Sequence, residues 1–348
     1  MKILIAGNLG YVGSVLVRHL RYVFPDAVIE GVDTGYFSHC LTAAERIPEI
    51  SLDAQHFCDL REIPEKLLDG VDSVIQLAAI SNDPMGKRFE RPTEEINFKA
   101  TVRLAHLASK AGVRSYTFAS SCSVYGTASA TPRTEEDEVN PLTAYALSKI
   151  NSETALREAD LKQMVVTCLR FATACGMSDR LRLDLVLNDF VAGAIATGKI
   201  SVLSDGTPWR PLIDVKDMAR AIEWALQRRA DNRGTFLTVN TGSQSWNYQV
   251  RDLAQAVAAA LPGTKISINE NAAPDKRSYQ VDFSLYKSLA PQHLPKQTLE
   301  ISIAELRDGL KAMNFGDENF RVSNYMRLRV LESHLTSGRL TDELRWAK

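Results

Sequence analysis

Tyr145 and Lys149 stand four residues apart, and a serine-rich stretch containing Ser121 and Ser123 precedes them. Residues with this spacing lie on the same face of a helix. A free phenol has a pKa near ~10 and is a poor base at neutral pH, but a nearby lysine ammonium favours the phenolate. The tyrosine can then take a proton from a sugar or alcohol hydroxyl while hydride leaves the same carbon. Since the spacing also arises by chance in helices, the prediction depends on the residues that accompany it.

A glycine-rich turn near the N-terminus is the strongest companion of that pair. The apolar run 2–6 predicts a buried strand, and the periodicity of 14–20 predicts a helix. Between them, Gly7 permits a tight turn, Gly10 lets the backbone approach a pyrophosphate, and Gly13 lets the helix pack closely on the strand. The helix N-terminus then offers N–H groups and partial positive charge to phosphates. This arrangement predicts a dinucleotide site.

Asp33 ends a second predicted strand, 28–33, about 20 residues past the last glycine of the turn. A carboxylate in this position suits the adenosine ribose diol and repels a 2′-phosphate. The following Thr34-Gly35-Tyr36 supplies no basic residue. We therefore expect NAD rather than NADP as the cofactor. The alternative is an ordinary strand-to-helix turn with a surface aspartate.

The composition is that of an ordinary soluble globular protein. The chain has 348 residues with 45% hydrophobic and 24% charged residues, and its net charge is −1. This charge gives no field for nucleic acid or an anionic membrane, and no apolar run reaches the ~18 residues of a membrane span. Because the sequence begins in a core strand, we expect no cleaved signal peptide. The five cysteines lack ligand spacing and indicate reduced thiols in the cytoplasm, and no metal site is predicted from the six scattered histidines.

Strands and helices alternate along the first half of the chain, which predicts a parallel, doubly wound sheet. Further strands are predicted at 55–58, 73–77, 115–119, 164–169 and 235–239, and further helices at 94–111, 144–159, 185–196 and 214–227. Ligands in such sheets bind at the carboxyl ends of the strands. At those ends Asp59 and Leu60 can reach an adenine, and the small Ala78 and Ala79 let the cofactor pass.

The fold class predicted is therefore α/β, a doubly wound parallel Rossmann sheet with a smaller C-terminal substrate-binding lobe. Residues 1–170 form the NAD-binding domain, to which the chain returns near 211–242, and 171–210 with 243–348 form the second lobe and tail. Residues 171–205 are expected to be irregular apart from one helix, and a helix is expected from Asn247 to about Leu261. In the tail, Leu328, Leu331 and Leu335 have the helical spacing of packing residues.

Taken together, these motifs resemble the extended short-chain dehydrogenases/reductases, in the branch of nucleotide-sugar epimerases, dehydratases and reductases. The resemblance covers nearly the whole chain and is specific for the family more than for the substrate. The residues that carry it are Gly7, Gly10, Gly13, Asp33, Asp59–Leu60, Leu77–Ala79, Asn97, Ser120–Gly126, Pro141, Tyr145, Lys149, Leu169–Phe171, Gly206–Val215 and Asp275–Tyr279.

The resemblance assigns roles to individual residues. It implies Tyr145 as the general base, Lys149 as its activator and a ribose ligand, and Ser121 as the partner of the substrate hydroxyl. Asn97 joins the cofactor-binding residues, and Ser123 the substrate-binding ones. Arg210 and Arg277 would grip a nucleotide diphosphate as planar forks suited to phosphate; the alternative for these two is a pair of solvated surface arginines. The family's usual homodimer is also implied.

Three departures from the family pattern narrow the activity. Dehydratases of the family carry an acid pair where this chain has Ser121-Cys122-Ser123, which argues against 4,6-dehydration. Thr173 stands where many members have the asparagine that meets substrate phosphate, and we expect Asn188 to replace it. The loop 177–184 is unusual and is either part of sugar selection or a solvated charged connection.

The leading hypothesis is an NAD-dependent nucleotide-sugar epimerase acting at C4 of a hexose through a transient 4-keto intermediate. A reductase of 4-keto-6-deoxy nucleotide sugars would use the same three residues with NAD(P)H supplied from outside. From a different class, the chain could bind NAD without catalysis as a sensor or scaffold, although the intact Ser121, Tyr145 and Lys149 argue against this.

Overall fold

A computed structural model of the chain describes residues 1–42, 44–126, 131–272 and 278–347. Its strands are β1 (Lys2–Ala6), β2 (Val28–Asp33), β3 (Ala54–Phe57), β4 (Ser73–Gln76), β5 (Ser115–Ser121), β6 (Val165–Phe171), β7 (Thr173–Cys175), β8 (Lys199–Val202), β9 (Trp209–Asp214), β10 (Phe236–Thr241), β11 (Asn247–Gln249) and β12 (Lys265–Ile268). Its helices are α1 (Tyr11–Val23), α2 (Asp83–Arg88), α3 (Glu90–Thr93), α4 (Ala100–Lys110), α5 (Ala144–Glu158), α6 (Val186–Thr197), α7 (Val215–Gln227), α8 (Val250–Ala260), α9 (Ser284–Leu289), α10 (Leu299–Ala312) and α11 (Arg327–Thr336).

A seven-stranded sheet in the order β10-β6-β5-β4-β1-β2-β3 forms the centre of the molecule. All six neighbouring pairs run parallel. The strand order reverses at β1, which lies between β2 and β4. In open α/β sheets this reversal opens a crevice at the carboxyl ends of the strands, where ligands bind. The predicted α/β, doubly wound parallel fold is confirmed.

The central strands are apolar because helices cover both faces of the sheet. Successive side chains of a strand point to opposite faces. In β1, Ile3 and Ile5 accordingly join a core with α1 and α7, while Leu4 and Ala6 join a second core with α4 and α5. All four side chains are fully buried. Burying one such Leu or Ile side chain contributes roughly 1.5–3 kcal/mol to the free energy of unfolding. The two cores therefore fix the position of the strands and of their carboxyl ends, which form one edge of the sheet.

A second lobe stands over this edge and has two small sheets. One has the order β11-β9-β7, and the other pairs β12 with β8. Helices α6, α8 and α10 pack together in its own apolar core, through side chains such as Leu187, Leu253 and Leu306. The chain returns from this lobe to the main sheet through α7 and β10, which pairs with β6.

The C-terminal part of the chain packs back onto the Rossmann side. Leu331 of α11, together with Leu340 and Leu344, is buried in a cluster with Ile80 and Phe89. Leu328 and Leu335 pack against the same cluster. The helical spacing predicted for this tail is therefore present as α11, and its leucines pack within the chain.

Some local predictions were wrong. Residues 247–249 form strand β11, and the helix begins only at Val250. Pairing of β11 with β9, some 40 residues away in sequence, overrides the local helical pattern. The region 171–205 also contains β7 and β8 beside its helix, and the first turn of the helix predicted at 94–111 is π-helical. Among the described residues, no helix is long and apolar enough to cross a membrane.

Candidate active site

One cleft of about 970 Å³ lies between the carboxyl ends of the central strands and the second lobe. Its lining includes most of the site residues that the sequence singled out. These are Gly7, Gly10, Gly13, Asp33, Asp59, Leu60, Ala78, Ala79, Ser121, Ser123, Tyr145, Lys149 and Arg210. The structure thus brings together the glycine-rich turn, the Tyr–Lys pair and one of the two arginines. Arg277 lies outside the described residues.

The glycine-rich turn leaves no room for side chains. Gly7 has a φ of +90°, and a Cβ there would lie 2.5 Å from the backbone nitrogen of Ala78. A Cβ on Gly13 would lie 2.5 Å from Cα of Asn8, so α1 packs directly against the turn that follows β1. Gly10 is the N-cap of α1, and no side chain caps that helix end. The backbone N–H groups of the first turn are therefore available to an anion.

Asp33 lies at the end of β2 and faces the cleft. Its carboxylate accepts hydrogen bonds from the backbone N–H of Leu9 at 3.1 Å and of Gly35 at 2.7 Å. Burial raises the pKa of this carboxyl, although the two backbone hydrogen bonds act in the opposite direction. A carboxylate has about four acceptor positions, so capacity is left for a ribose diol.

Asp59 and Leu60 follow β3 at the same end of the cleft. The Asp59 carboxylate caps a short 3₁₀ turn by accepting from the backbone N–H of Arg61 at 2.9 Å, and it also pairs with the Arg61 guanidinium. Leu60 is nearly buried, with 5% of its surface exposed. These residues offer an apolar wall next to a fixed carboxylate, on the same side as Asp33.

Tyr145 is placed by the start of α5, where the Thr143 hydroxyl accepts from the backbone N–H of Ala146 at 3.1 Å. Burial raises the pKa of the Tyr145 phenol to about 12, and a hydrogen bond with Ser121 acts against this rise. In the protein alone the phenol is therefore protonated at neutral pH. A positive charge in the cleft is required before Tyr145 becomes a base.

Lys149 lies one turn further along α5. Its ammonium nitrogen is 5.5 Å from the centre of the Tyr145 ring and donates to the backbone carbonyl of Ala119 at 2.7 Å. Burial lowers the pKa of Lys149 to about 7, while the charge of Glu153 acts to raise it. The lysine is consequently close to its titration point at neutral pH, and nearby anions such as phosphate groups would favour its charged form.

Ser121 ends β5, and Ser123 lies in the 3₁₀ turn that follows; both line the cleft with Tyr145. The Ser121 hydroxyl accepts from the backbone N–H of Ser123 at 3.1 Å. The Ser123 hydroxyl oxygen is buried and has no hydrogen-bond partner among the described residues. Buried hydroxyls are usually paired, so this unpaired hydroxyl on a residue that lines the cleft stands out. Cys122, between them, is buried with its thiol directed at the carbonyl of Arg170.

Two predicted residues do not line the cleft. Asn97 is fully buried, and its amide both accepts from and donates to the backbone of Ile80, at 2.8 and 3.0 Å. It also donates to the Ser148 hydroxyl at 3.1 Å. Asn97 therefore fixes the loop after Ala79 against α5 and can act on a cofactor only through that loop.

Asn188 is also fully buried. Its side-chain oxygen accepts from the backbone N–H of Gly176 at 3.0 Å, and its nitrogen donates to the carbonyl of Arg182 at 2.9 Å. Both ends of the amide are thus used to shape the loop after β7. This geometry does not offer Asn188 to a substrate phosphate.

The unusual loop 177–184 supplies cleft residues that sequence reasoning did not assign. Arg182 and Asp184 both line the cleft and form a two-pronged ion pair at 2.8 and 3.0 Å. Arg182 also donates to the Ser81 hydroxyl, and Asn82 donates to Asp184. The density of charge in this loop was the available signal. Its pairing with residues about 100 positions earlier was not visible in the sequence.

Arg210 lies on β9 and reaches the cleft from the second lobe. One of its terminal nitrogens donates to the backbone carbonyl of Trp209 at 2.9 Å. The glycine-rich turn belongs to the Rossmann side of the cleft, whereas the strand that carries Arg210 belongs to the second lobe. The cleft therefore has the glycine-rich turn on one side and a guanidinium on the other.

Comparisons with known proteins point to one family. The pattern of the NAD dependent epimerase/dehydratase family matches residues 3–242. The UDP-glucose 4-epimerase of Haemophilus influenzae is 29% identical over 287 residues, covering 75% of this chain and 82% of that protein. UDP-glucuronic acid decarboxylase 6 of Arabidopsis thaliana is 26% identical over 330 residues, covering 92% and 89%.

Solved structures share the fold. MoeE5 in complex with UDP-glucose and NAD superposes with a TM-score of 0.74 at 24% identity, covering 89% of this chain and 99% of that one. The NAD dependent NDP-hexosamine 5,6-dehydratase TunA gives a TM-score of 0.75 at 22% identity, covering 89% and 98%.

Proposed function

The chain belongs to the NAD dependent epimerase/dehydratase family, and on this premise we propose that it is a nucleotide-sugar epimerase acting at C4 of a hexose. Membership confirms the predicted family and NAD as the cofactor. The C4 position, the hexose and the nucleotide diphosphate are the parts proposed here. The curated relatives include UDP-glucose 4-epimerases from three bacteria in addition to Haemophilus influenzae, which supports this choice.

The observation that carries the proposal is the convergence of Ser121, Tyr145 and Lys149 on a cleft that also contains the glycine-rich turn and Arg210. A proton acceptor, a hydroxyl partner and an activating cation are thus next to a dinucleotide site. The guanidinium of Arg210, from the other lobe, suits a diphosphate because its planar fork matches phosphate oxygens. A small alcohol would not need this second cationic wall.

NAD fits the residues present. The space around Gly7 and Gly13 admits no Cβ, and the uncapped N-terminus of α1 would hold the pyrophosphate. Asp33 would hold the adenosine ribose, and Lys149 the second ribose. The chemistry that NAD supplies when bound is reversible hydride acceptance at the reacting carbon, so the sugar passes through a 4-keto form.

Tyr145 does the proton chemistry in this scheme. With a pKa raised to about 12 by burial, its phenol needs cationic neighbours to lose a proton near neutral pH. Charged Lys149, 5.5 Å from the ring, would provide part of this. Ser121, hydrogen-bonded to the phenol, would hold the substrate hydroxyl while Tyr145 removes its proton. The same phenol returns the proton after the sugar has turned.

The environment of Cys122 argues against dehydration. A dehydratase needs an acid beside the sugar to eliminate water, and this chain has Cys122 in that run. Burial raises the pKa of the Cys122 thiol far above neutral, and the thiol contacts the carbonyl of Arg170 in the core. It therefore cannot donate or accept protons in the cleft.

The test is a substrate screen with the purified protein. It would be incubated with UDP-hexoses and their C4 epimers, and the products would be followed by proton NMR, with reduced cofactor monitored by absorbance. We expect conversion to a C4 epimer from either direction with no net change in NADH. Net NADPH or NADH oxidation on a 4-keto-6-deoxy sugar would instead identify the reductase. Absence of turnover on any nucleotide sugar, with NAD bound, would leave the binding role.

Two further expectations belong to this proposal. A homodimer is predicted from the family, and light scattering of the purified protein would test it. Localisation in the cytoplasm is predicted from the cysteine content, and fractionation of the source cells would test it.

A further inference from the structure

We infer that the C-terminal segment, residues 326–347, is part of the cofactor site and slows the release of NAD. The segment lies beyond residue 242, where the family match ends. It contacts the two short chain segments that follow β2 and β3, which line the adenosine end of the cleft. The inference requires only that NAD binds at Asp33, so it holds for an epimerase and for a reductase.

The first contact is with the stretch after β2. The indole N–H of Trp346 donates to the carbonyl of Thr34 at 2.7 Å, and its ring centre is 5.7 Å from that of Tyr36. The Tyr36 hydroxyl in turn donates to the carbonyl of Leu344. Thr34 and Tyr36 line the cleft directly after Asp33. The segment therefore fixes the backbone that carries the ribose-binding carboxylate.

The second contact is with the stretch after β3. Arg61 donates to the carbonyls of Glu343 at 2.8 Å and Leu344 at 3.1 Å. The same guanidinium holds the carboxylate of Asp59, which lines the cleft. The Arg61 side chain is only 6% exposed. It connects the segment to the adenine end of the cleft through these hydrogen bonds.

Apolar packing holds the segment in place. Leu340 and Leu344 are buried in a cluster with Tyr36, Ile80 and Met85. Ile80 follows Ala79 and also lines the cleft. The segment thus supports three successive parts of the cofactor wall, one after each of β2, β3 and β4.

Two residues of the segment, Met326 and Arg327, reach the cleft itself. Arg327, at the start of α11, lines the cleft although only 1% of its surface is exposed. Its guanidinium lies 5.1 Å from the centre of the Phe37 ring and donates to the carbonyl of Arg180 at 2.7 Å. A buried cation in this wall favours the anionic pyrophosphate of a dinucleotide in the cleft.

The inference predicts that damage to the segment changes cofactor release selectively. Trp346→Ala removes the hydrogen bond to Thr34 and the ring contact with Tyr36. Tyr36→Phe keeps the ring in the cleft wall and removes only the hydroxyl bonded to Leu344. Since Trp346 and the Tyr36 hydroxyl act through their neighbours, both are positioning groups. No described residue of 337–347, Trp346 included, lines the cleft, whereas Tyr36 does.

The experiment measures NADH release by stopped-flow fluorescence after mixing with excess NAD, and binding of UDP by calorimetry. We expect release from Trp346→Ala to be about tenfold faster than wild type, equivalent to roughly 1.4 kcal/mol. Tyr36→Phe should release NADH about threefold to tenfold faster, as for loss of one hydrogen bond. UDP affinity should stay within about twofold in both, because Arg210 is untouched. The matched controls are Tyr22→Ala and Tyr22→Phe, since Tyr22 is 87% exposed on α1.

ADP-ribose and NMN separate positioning from general damage. ADP-ribose occupies the adenosine end and should lose affinity by the same factor as NAD in Trp346→Ala. NMN, which lacks adenosine, should not. Release rates within twofold of wild type in both variants would overturn the inference. A parallel loss of NAD and UDP affinity with a lowered melting temperature would also overturn it, because it would show a general loss of folded protein.

Discussion

The two sides of the cleft are built in different ways. On the Rossmann side, backbone groups and glycines at the ends of parallel strands of the central sheet make the surface. On the second-lobe side, a side chain such as Arg210 projects from β9, a strand of a separate three-stranded sheet. A surface of backbone accommodates the pyrophosphate of a dinucleotide, and Asp33 on the same side is placed to select between NAD and NADP. Side chains on the second-lobe side can change with the substrate. The first side therefore carries the features of the family, and we expect the second to set the substrate.

Tyr145→Phe changes a residue at the junction of the two sides of the cleft, and we expect it to have the largest effect on turnover. The ring still packs in its buried position, and only the proton acceptor is lost. Turnover should fall by ~10²–10⁴-fold, the usual contribution of general acid–base catalysis. NAD and UDP affinities, measured by calorimetry, should be unchanged. Activity within about threefold of wild type would reject Tyr145 as the base.

Much of the Rossmann side could be predicted from sequence because its demands act on single residues. A φ of +90° and a Cβ-free contact at Gly7 require glycine at that position, and Asp33 is needed at a fixed distance along the chain. Tyr145 and Lys149 are close because one helix carries both. These residues can therefore be predicted from the local sequence.

The remainder could not be predicted because it depends on contacts between distant parts of the chain. Trp346 and Thr34 are 312 residues apart, and β11 forms a strand only because β9 lies beside it. Asn97 and Asn188 were identified by residue type, which does not reveal whether an amide faces the cleft or the core. In the structure both amides are used internally.

Arg210→Ala tests the second-lobe side alone. Charge-assisted hydrogen bonds contribute ~1.5–3 kcal/mol each, so UDP affinity should fall by about one to two decades. NAD affinity should stay nearly constant. Arg210→Lys should recover only part of the loss, since an ammonium cannot make the two-pronged contact. Unchanged UDP affinity in Arg210→Ala, measured by calorimetry, would remove the main support for a nucleotide diphosphate.

Asp33→Ser tests the Rossmann side alone. The wild-type protein should bind NAD in preference to NADP, because the carboxylate repels a 2′-phosphate. The serine removes this repulsion, and we expect the preference to shrink by about tenfold, or ~1.4 kcal/mol. UDP affinity should be unaffected, in contrast to Arg210→Ala. Equal affinities for NAD and NADP in the unmutated protein would contradict the assigned role.

Ser123→Ala should have the smallest effect. The direction of its effect on the melting temperature distinguishes a hydroxyl that binds a ligand from one that stabilises the fold. The Ser123 hydroxyl is buried without a partner, so its removal loses no hydrogen bond in the free protein and relieves a desolvation cost. The melting temperature should stay the same or rise slightly. The Michaelis constant for the sugar nucleotide should rise about twofold to tenfold, as for loss of one neutral hydrogen bond.

The matched control for Ser123→Ala is its neighbour Ser120, whose hydroxyl donates to the buried carboxylate of Glu153. Glu153 is also paired with Arg170. Ser120→Ala removes one partner of a buried charge and should therefore lower the melting temperature. Each substitution deletes one serine hydroxyl, at the end of β5 for Ser120 and in the 3₁₀ turn three positions later for Ser123, yet stability should fall only for Ser120. If Ser123→Ala also destabilised the protein and left the Michaelis constant unchanged, its hydroxyl would serve the fold, and the substrate would be bound by the second-lobe side without it.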